Sequence, residues 1–294
     1  MHAATFLLPL CLQNLGETAV LSPVSPTNMD GAMDSTESPL GPIFVDHPET
    51  VGADGVNGDV LAGTTQLTLE GAPRPGTSID LAVRVTTLVL SASYGLTEHL
   101  DATLLLPVLW ETLDVTARVG PFVGHTSFSS SGVSDLTARL KYAFNPNLAA
   151  TLRATFPTGD ASRGLGTGDY WLAPGIAAFL PLGERAQLNA SARADVNLST
   201  AARSGATYGL GGSVLLGPVA LVAEFLGGLG HERPFALLGA DYSHGPTFDL
   251  AFGLRAPLPH GFMVFAAGTY ALNRTGLRPT GVAPVVGIGW VGVP

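Results

Sequence analysis

Ten ionisable residues lie inside stretches that otherwise alternate between apolar and polar positions: Arg84, Asp135, Arg139, Lys141, Arg153, Arg193, Asp195, Glu224, Asp249 and Arg255. Two roles suit charges placed this way. They form a set of mutually paired ions filling a narrow interior, or they line a polar path for a solute. Other chemistry is thinly supported. The histidines at 2, 47, 99, 125, 231, 244 and 260 show no helical zinc spacing. No G-x-S-x-G elbow occurs. Gly124-His125 beside Ser127 and Ser129–Ser131 could supply a hydrolase with its serine and histidine, but the stretch reads as a Ser-rich outer loop. Pro157-Thr158-Gly159-Asp160 reads as a turn rather than a ligand loop, because Pro fixes φ, Gly permits positive φ and Asp bonds nearby backbone. No catalytic residue, metal site or cofactor is expected.

The elements that carry the charges are strands. Between Ser134 and Asp160, Asp135, Thr137, Arg139 and Lys141 alternate with Leu136, Ala138, Leu140 and Tyr142. After the turn at Asn145-Pro146-Asn147, Leu148, Ala150, Leu152, Ala154 and Phe156 alternate with Thr151, Arg153 and Thr155. Ala186–Leu198 and Thr247–Ala256 repeat the pattern. Such a hairpin suits a soluble sandwich or a membrane barrel, and composition separates the two. Only 13% of the 294 residues are charged and Lys141 is the single lysine, against about 25% charged in ordinary soluble domains. Mean hydropathy is +0.33, yet no apolar run is long enough for a transmembrane helix. A β-barrel hides its hydrophobicity in alternation. In lipid each strand cation would cost about 2–4 kcal/mol near the midplane, so the ten charges are expected to face the lumen. The net charge of −9 argues against nucleic-acid binding. The lone Cys11 excludes an internal disulfide.

The expected fold is all-β: a transmembrane antiparallel up-and-down barrel of about 12 strands over 58–294. Residues 13–57 read as a flexible, disordered N-terminal segment, and 1–12 as part of a signal peptide with its apolar run at Ala3–Leu12. Thirteen candidate strands are present, including Phe235–Ser243 and Val282–Val291, whereas bacterial barrels have an even number. With twelve, Phe262–Leu272 closes the barrel and Val282–Val291 is left over. The third strand changes phase, Asp101 and Thr103 against Asp114, Thr116 and Arg118, which a bulge at Pro107 would explain. Short turns, Ser243–Pro246 among them, alternate with long links at Gly120–Gly132, Thr158–Gly168 and Ser199–Ala206. Aromatic girdles are expected, with Tyr94, Tyr142, Phe144, Phe179 and Tyr242 near short turns and Phe156, Tyr170, Trp171 and Tyr208 near long loops.

Several motifs carry a family resemblance: His47-Pro48-Glu49-Thr50-Val51-Gly52, Tyr94-Gly95-Leu96-Thr97-Glu98-His99-Leu100-Asp101, Gly132-Val133-Ser134-Asp135-Leu136 with Lys141-Tyr142, Phe156-Pro157-Thr158-Gly159-Asp160, then Gly166-Thr167-Gly168 and Pro174-Gly175. In order and spacing, from about Val45 to Leu272, the chain resembles the outer-membrane family labelled "putative MetA-pathway of phenol degradation". The resemblance implies an outer-membrane barrel that is transporter-like and passes small, hydrophobic or aromatic solutes, with membrane lipid around it and no catalytic residues. The alternatives are a non-conducting structural or interaction barrel with a charge-plugged lumen and, third, an outer-membrane hydrolase.

Overall fold

The computed structural model describes residues 44–71, 76–199, 201, 204–230, 235–237, 240–242, 246–273 and 281–292. Alternating stretches become long antiparallel strands. They are β1 (Val56–Gly71), β2 (Thr77–Thr97), β3 (Leu100–Val119), β4 (Phe122–Val133), β5 (Leu136–Asn145), β6 (Leu148–Phe156), β7 (Trp171–Pro181) and β8 (Ala186–Asn197). There follow β9 (Gly205–Leu216), β10 (Val219–Leu229), β11 (Phe235–Leu237), β12 (Ala240–Tyr242), β13 (Thr247–Pro257), β14 (Phe262–Ala271) and β15 (Val282–Gly292). β1 pairs with both β2 and β15, so the sheet closes on itself.

The wall has twelve positions because β4 and β5 share one. β4 pairs with the upper half of β3 and β5 with its lower half. Between the pairs Val108↔Val133 and Leu105↔Thr137, Leu106 and Pro107 face Ser134, Asp135 and Leu136. The extra residue is a bulge, and the Pro107 carbonyl accepts the Ser134 amide at 2.8 Å. The bulge therefore lies on the strand opposite Pro107. β3 itself keeps unbroken register with β2 from Thr77↔Val119 to Gly95↔Asp101.

Three expectations change. Gly120–Gly132 is largely strand β4 rather than a loop. Within the expected strand Phe235–Ser243, β11 and β12 pair with each other in a separate two-stranded sheet rather than with the wall; of the expected turn Ser243–Pro246, residues 243–245 lie outside the described residues. The closing strand is β15, which pairs with β1 and β14. Its glycines and Pro284 dilute the alternation, but Val282, Val286, Ile288 and Trp290 still face outward and exposed. Residues 1–12, with the expected signal peptide, lie outside the described residues, as does 13–43 of the segment expected to be flexible.

Outward positions are apolar and exposed around the barrel, for example Leu104, Leu140, Ile176, Leu210 and Phe252. They form a lipid-facing belt, so the chain is an outer-membrane β-barrel. Tyr94, Tyr142 and Phe144 edge the belt at the short-turn end, and Trp110, Phe156 and Tyr170 at the other. Phe179 departs from its expected girdle. It shares the inward register of β7 with buried Ala173 and Ala177, and its ring contacts His47 with centroids 5.1 Å apart. Trp171 has the same inward register.

Candidate functional site

The lumen is built by the second residue of each strand period. On β5 and β6 this inward face carries Thr137, Arg139, Lys141, Thr151 and Arg153, all buried. Arg139 lies directly opposite Arg153, and Lys141 is two residues from Arg139. Like charges facing across a strand pair repel. A counter-ion is needed, and it comes from outside the wall.

It is Asp46. Residues 44–48, which precede the first strand, are buried inside the barrel. The Asp46 carboxylate accepts a short hydrogen bond from Arg153 Nη2 and lies 3.6 Å from Arg139 Nη1. Arg139 also donates to the Thr103 hydroxyl at 3.2 Å. The Lys141 ammonium lies 3.6 Å from Asp101, its cross-strand partner, and donates to the carbonyl oxygens of His47 and Glu49. On the far wall, Glu224 accepts the Phe44 amide at 2.8 Å. The expected flexibility of 13–57 therefore does not hold for 44–57: buried wall cations hold its inner part, and β1 begins at Val56.

The base of this segment is fixed at the short-turn end. The Tyr94 hydroxyl donates to Asp54 at 2.7 Å, the Asp54 amide to the Gly95 carbonyl, the Gly95 amide to the Gly55 carbonyl, and the Thr50 hydroxyl to the Glu98 carbonyl. A Cβ on Gly95 would stand 1.6 Å from the Gly52 carbonyl oxygen. Only glycine lets the two backbones cross. The motifs at 47–52 and 94–101 thus pack on each other.

The ten charges expected in the lumen fall into distinct places. Arg139, Lys141 and Arg153 hold the inserted segment. Arg193 and Asp195 pair with each other at 2.9 Å, and Asp195 also accepts the Thr207 hydroxyl at 3.2 Å. Glu224 meets the segment's backbone, and Asp249 and Arg255 are buried on the inward face of β13. Asp135 is buried but serves a loop: its carboxylate accepts the Gly159 amide, the Thr167 amide and the Thr167 hydroxyl at 2.7–3.0 Å. Pro157–Asp160 begins that loop, where Asp160 caps the short 3-10 turn Ala161–Arg163. Ser162 donates to Asp160 and holds its carboxyl below the usual range. Arg84 is a correction. It shares the outward register of Ser78, Asp80 and Thr86 and is exposed. It escapes the cost of lipid because this end of β2 has left the belt.

Sequence reasoning missed Asp46, Asp59 and Asp101 as lumenal acids. Asp59 accepts the Ser91 hydroxyl at 2.9 Å. A signal for Asp46 existed: three cations on one face of two paired strands need an anion from elsewhere. A cavity beside Asp46 is lined by Phe44, Ser191, Arg193, Thr207 and Leu226. Among the described residues no cluster of His, Cys, Asp or Glu could hold a metal ion.

Comparison with known proteins fits this architecture. The family model described as "Putative MetA-pathway of phenol degradation" matches residues 54–281. No curated protein matches. Among solved structures, an outer membrane channel from Pseudomonas putida F1 is similar at 20% identity and TM-score 0.59, covering 83% of this chain and 98% of that one. A deletion mutant of TodX, a monoaromatic hydrocarbon channel, is similar at 10% identity and TM-score 0.51, covering 83% and 92%. These likenesses are of fold.

Proposed function

The chain belongs to the family described as "Putative MetA-pathway of phenol degradation", and from that membership and the lumen we propose that it is an outer-membrane channel for small hydrophobic or aromatic solutes. One observation carries the reading. Residues 44–48, a segment without strand pairing, lie buried inside the barrel and are held there by contacts to side chains of the wall. Such a segment can leave without breaking the barrel's hydrogen-bond ladder. The lumen-facing Arg139, Lys141, Arg153, Arg193, Asp195, Glu224, Asp249 and Arg255 would then line the solute path. The partners are membrane lipid on the belt and the solute inside. No cofactor or nucleic acid enters the reading, and no enzyme step is needed.

The second reading, a non-conducting barrel, draws support from the same level: Asp46 with Arg139 and Arg153, and Lys141 with Asp101, fill the section with paired charge. The hydrolase reading loses its loop, because His125 and Ser127 lie on strand β4 and the His125 ring meets the Thr116 hydroxyl at 3.3 Å. Uptake of toluene and phenol into proteoliposomes tests the proposal. Flux above that of protein-free vesicles is expected. No flux, even when Gly-Ser residues replace 44–48, would leave the non-conducting barrel.

A further inference from the structure

We infer that an apolar arc of the lumen wall is the solute's seat, that it takes a neutral single-ring hydrocarbon, and that Phe44 fills it until such a ring displaces it. The inference rests on the channel reading and adds to it a place and a ligand class.

The lumen is divided at mid-height. On β5 and β6 the buried inward residues include Thr137, Arg139 and Arg153. From β10 round through β15 and β1 to β3, inward positions carry Leu61, Val89, Leu105, Leu226, Phe265 and Val285, which belong to one packed cluster. The lipid face of the same strands is apolar too, with Val60, Leu90 and Leu104 exposed. Along this arc the wall is therefore apolar on both faces, whereas the lumen of a membrane barrel is ordinarily polar. Phe265 adds an aromatic surface. Its ring lies against Gly287, where a Cβ would stand 2.3 Å from it. A second apolar cluster, with Leu67, Val85 and Leu109, lies above on the inward face of β1–β3, so the apolar surface resumes toward the long-loop end.

The arc is covered by the segment before β1. Among the described residues, the only members of the mid-height cluster outside the wall are Phe44 and Val45. The segment matches the divide: Phe44 and Val45 join the apolar arc, and Asp46 meets Arg139 and Arg153. Gly209 makes room for it, since a Cβ there would stand 2.8 Å from a Val45 methyl. A core that served only to hold the barrel together would be closed by the wall's own side chains. Here the cover has no strand pairing. When it leaves, the arc meets water, and an apolar ring removes that surface from water again. The Phe44 side chain is a benzyl group, so toluene matches the ring that vacates the seat. The six wall side chains offer no hydrogen bond or counter-charge, so a carboxylate on the ring would lose its hydration for nothing in return.

Thiol labelling of the full chain in proteoliposomes tests the seat. Val45 is fully buried, so in a Cys11→Ser, Val45→Cys chain the introduced thiol reacts slowly with a water-soluble maleimide. Toluene is expected to speed the reaction several-fold and saturably, because its ring displaces the segment. Benzoate at the same concentration is expected to leave the rate unchanged. Adding Phe44→Ala removes the competing ring and is expected to lower the half-maximal toluene concentration about tenfold. In that Phe44→Ala chain, Val89→Thr with Val285→Thr is expected to raise it about tenfold again, the scale of two buried methyl groups. A gel shift on heating reports that each variant is a folded barrel, and Val285→Thr alone replaces the pair if the pair does not fold. No acceleration by toluene up to its solubility would overturn the inference. So would benzoate acting as well as toluene, or a half-maximal concentration that neither Phe44→Ala nor the threonine substitutions move. Toluene flux without acceleration would refute the seat and leave the channel standing; acceleration without flux of any solute would do the reverse.

Discussion

The two halves of the β2–β3 hairpin carry opposite polarity on the same two strands. Near the short-turn end, the outward face is apolar, with Leu90 and Leu104 exposed, and the inward face holds Ser91, Ser93, Asp101 and Thr103, all buried. Near the long-loop end the faces exchange roles. Asp80, Arg84, Thr116 and Arg118 point outward, while Leu81, Val83, Val85 and Leu109 are buried inward, packed with Leu165 from the 157–169 loop. Backbone register does not change between the halves. The medium does: the lower half meets lipid, the upper half water, and each face takes the polarity its own side demands. The phase change in β3 is therefore a change of solvent, with no slip of that strand. Arg84 is misassigned from sequence for the same reason, because the cost that sends a strand cation to the lumen exists only inside the bilayer.

Substitutions on the two halves sharpen that contrast. Leu104→Arg, on the lipid side of the lower half, has the largest expected effect, about 2–4 kcal/mol of barrel stability near the midplane. Reversible urea unfolding in lipid vesicles reads it, and a loss near zero would move the belt. Leu81→Ala, inward in the upper half, is expected to cost about 2 kcal/mol through the cavity it opens in the buried cluster there. A cost close to zero in the same assay would mean that this inner face is not a packed core. Arg84→Leu should change stability by no more than about 0.5 kcal/mol, as for other exposed surface positions. A loss of several kcal/mol would return Arg84 to a buried or paired environment.

The smallest effect concerns pH at the loop that covers the upper half. The Asp160 carboxyl, ordinarily near 3.8, is lowered by the Ser162 hydrogen bonds. A depressed carboxyl stabilises the folded loop above its ordinary value and loses that contribution as pH falls through the lower, folded value. The protection of the Ser162 and Arg163 amides, their exchange compared with the intrinsic rate at each pH, is therefore expected to fall only at strongly acidic pH, and Asp160→Asn to remove that pH dependence. Protection that falls as pH rises instead would reverse the sign.

Legibility in the sequence followed how local each cause is. The Ser134–Asp160 hairpin reads directly because its side chains alternate without interruption and its turn residues suit a tight turn. β4 does not read as a strand, because above the membrane its outward face, Ser127, Ser129 and Ser131, needs no apolar belt. β15 is obscured by Gly287, Gly289 and Pro284. The lumenal ions on β5 and β6 could be placed from parity alone. What occupies them could not: Asp46 reaches Arg153 across 107 residues of chain and Phe44 reaches Glu224 across 180, and a segment without periodicity gives no sign of where it will be buried.

On the channel reading, residues 44–48 close a lumen that the barrel wall leaves open. Single-channel conductance in planar bilayers tests it most directly, comparing wild type with a chain of equal length in which Gly-Ser residues replace 44–48. A largely closed wild type and a steadily conducting variant are expected. Equal conductance of the two, whether both open or both closed, would contradict it.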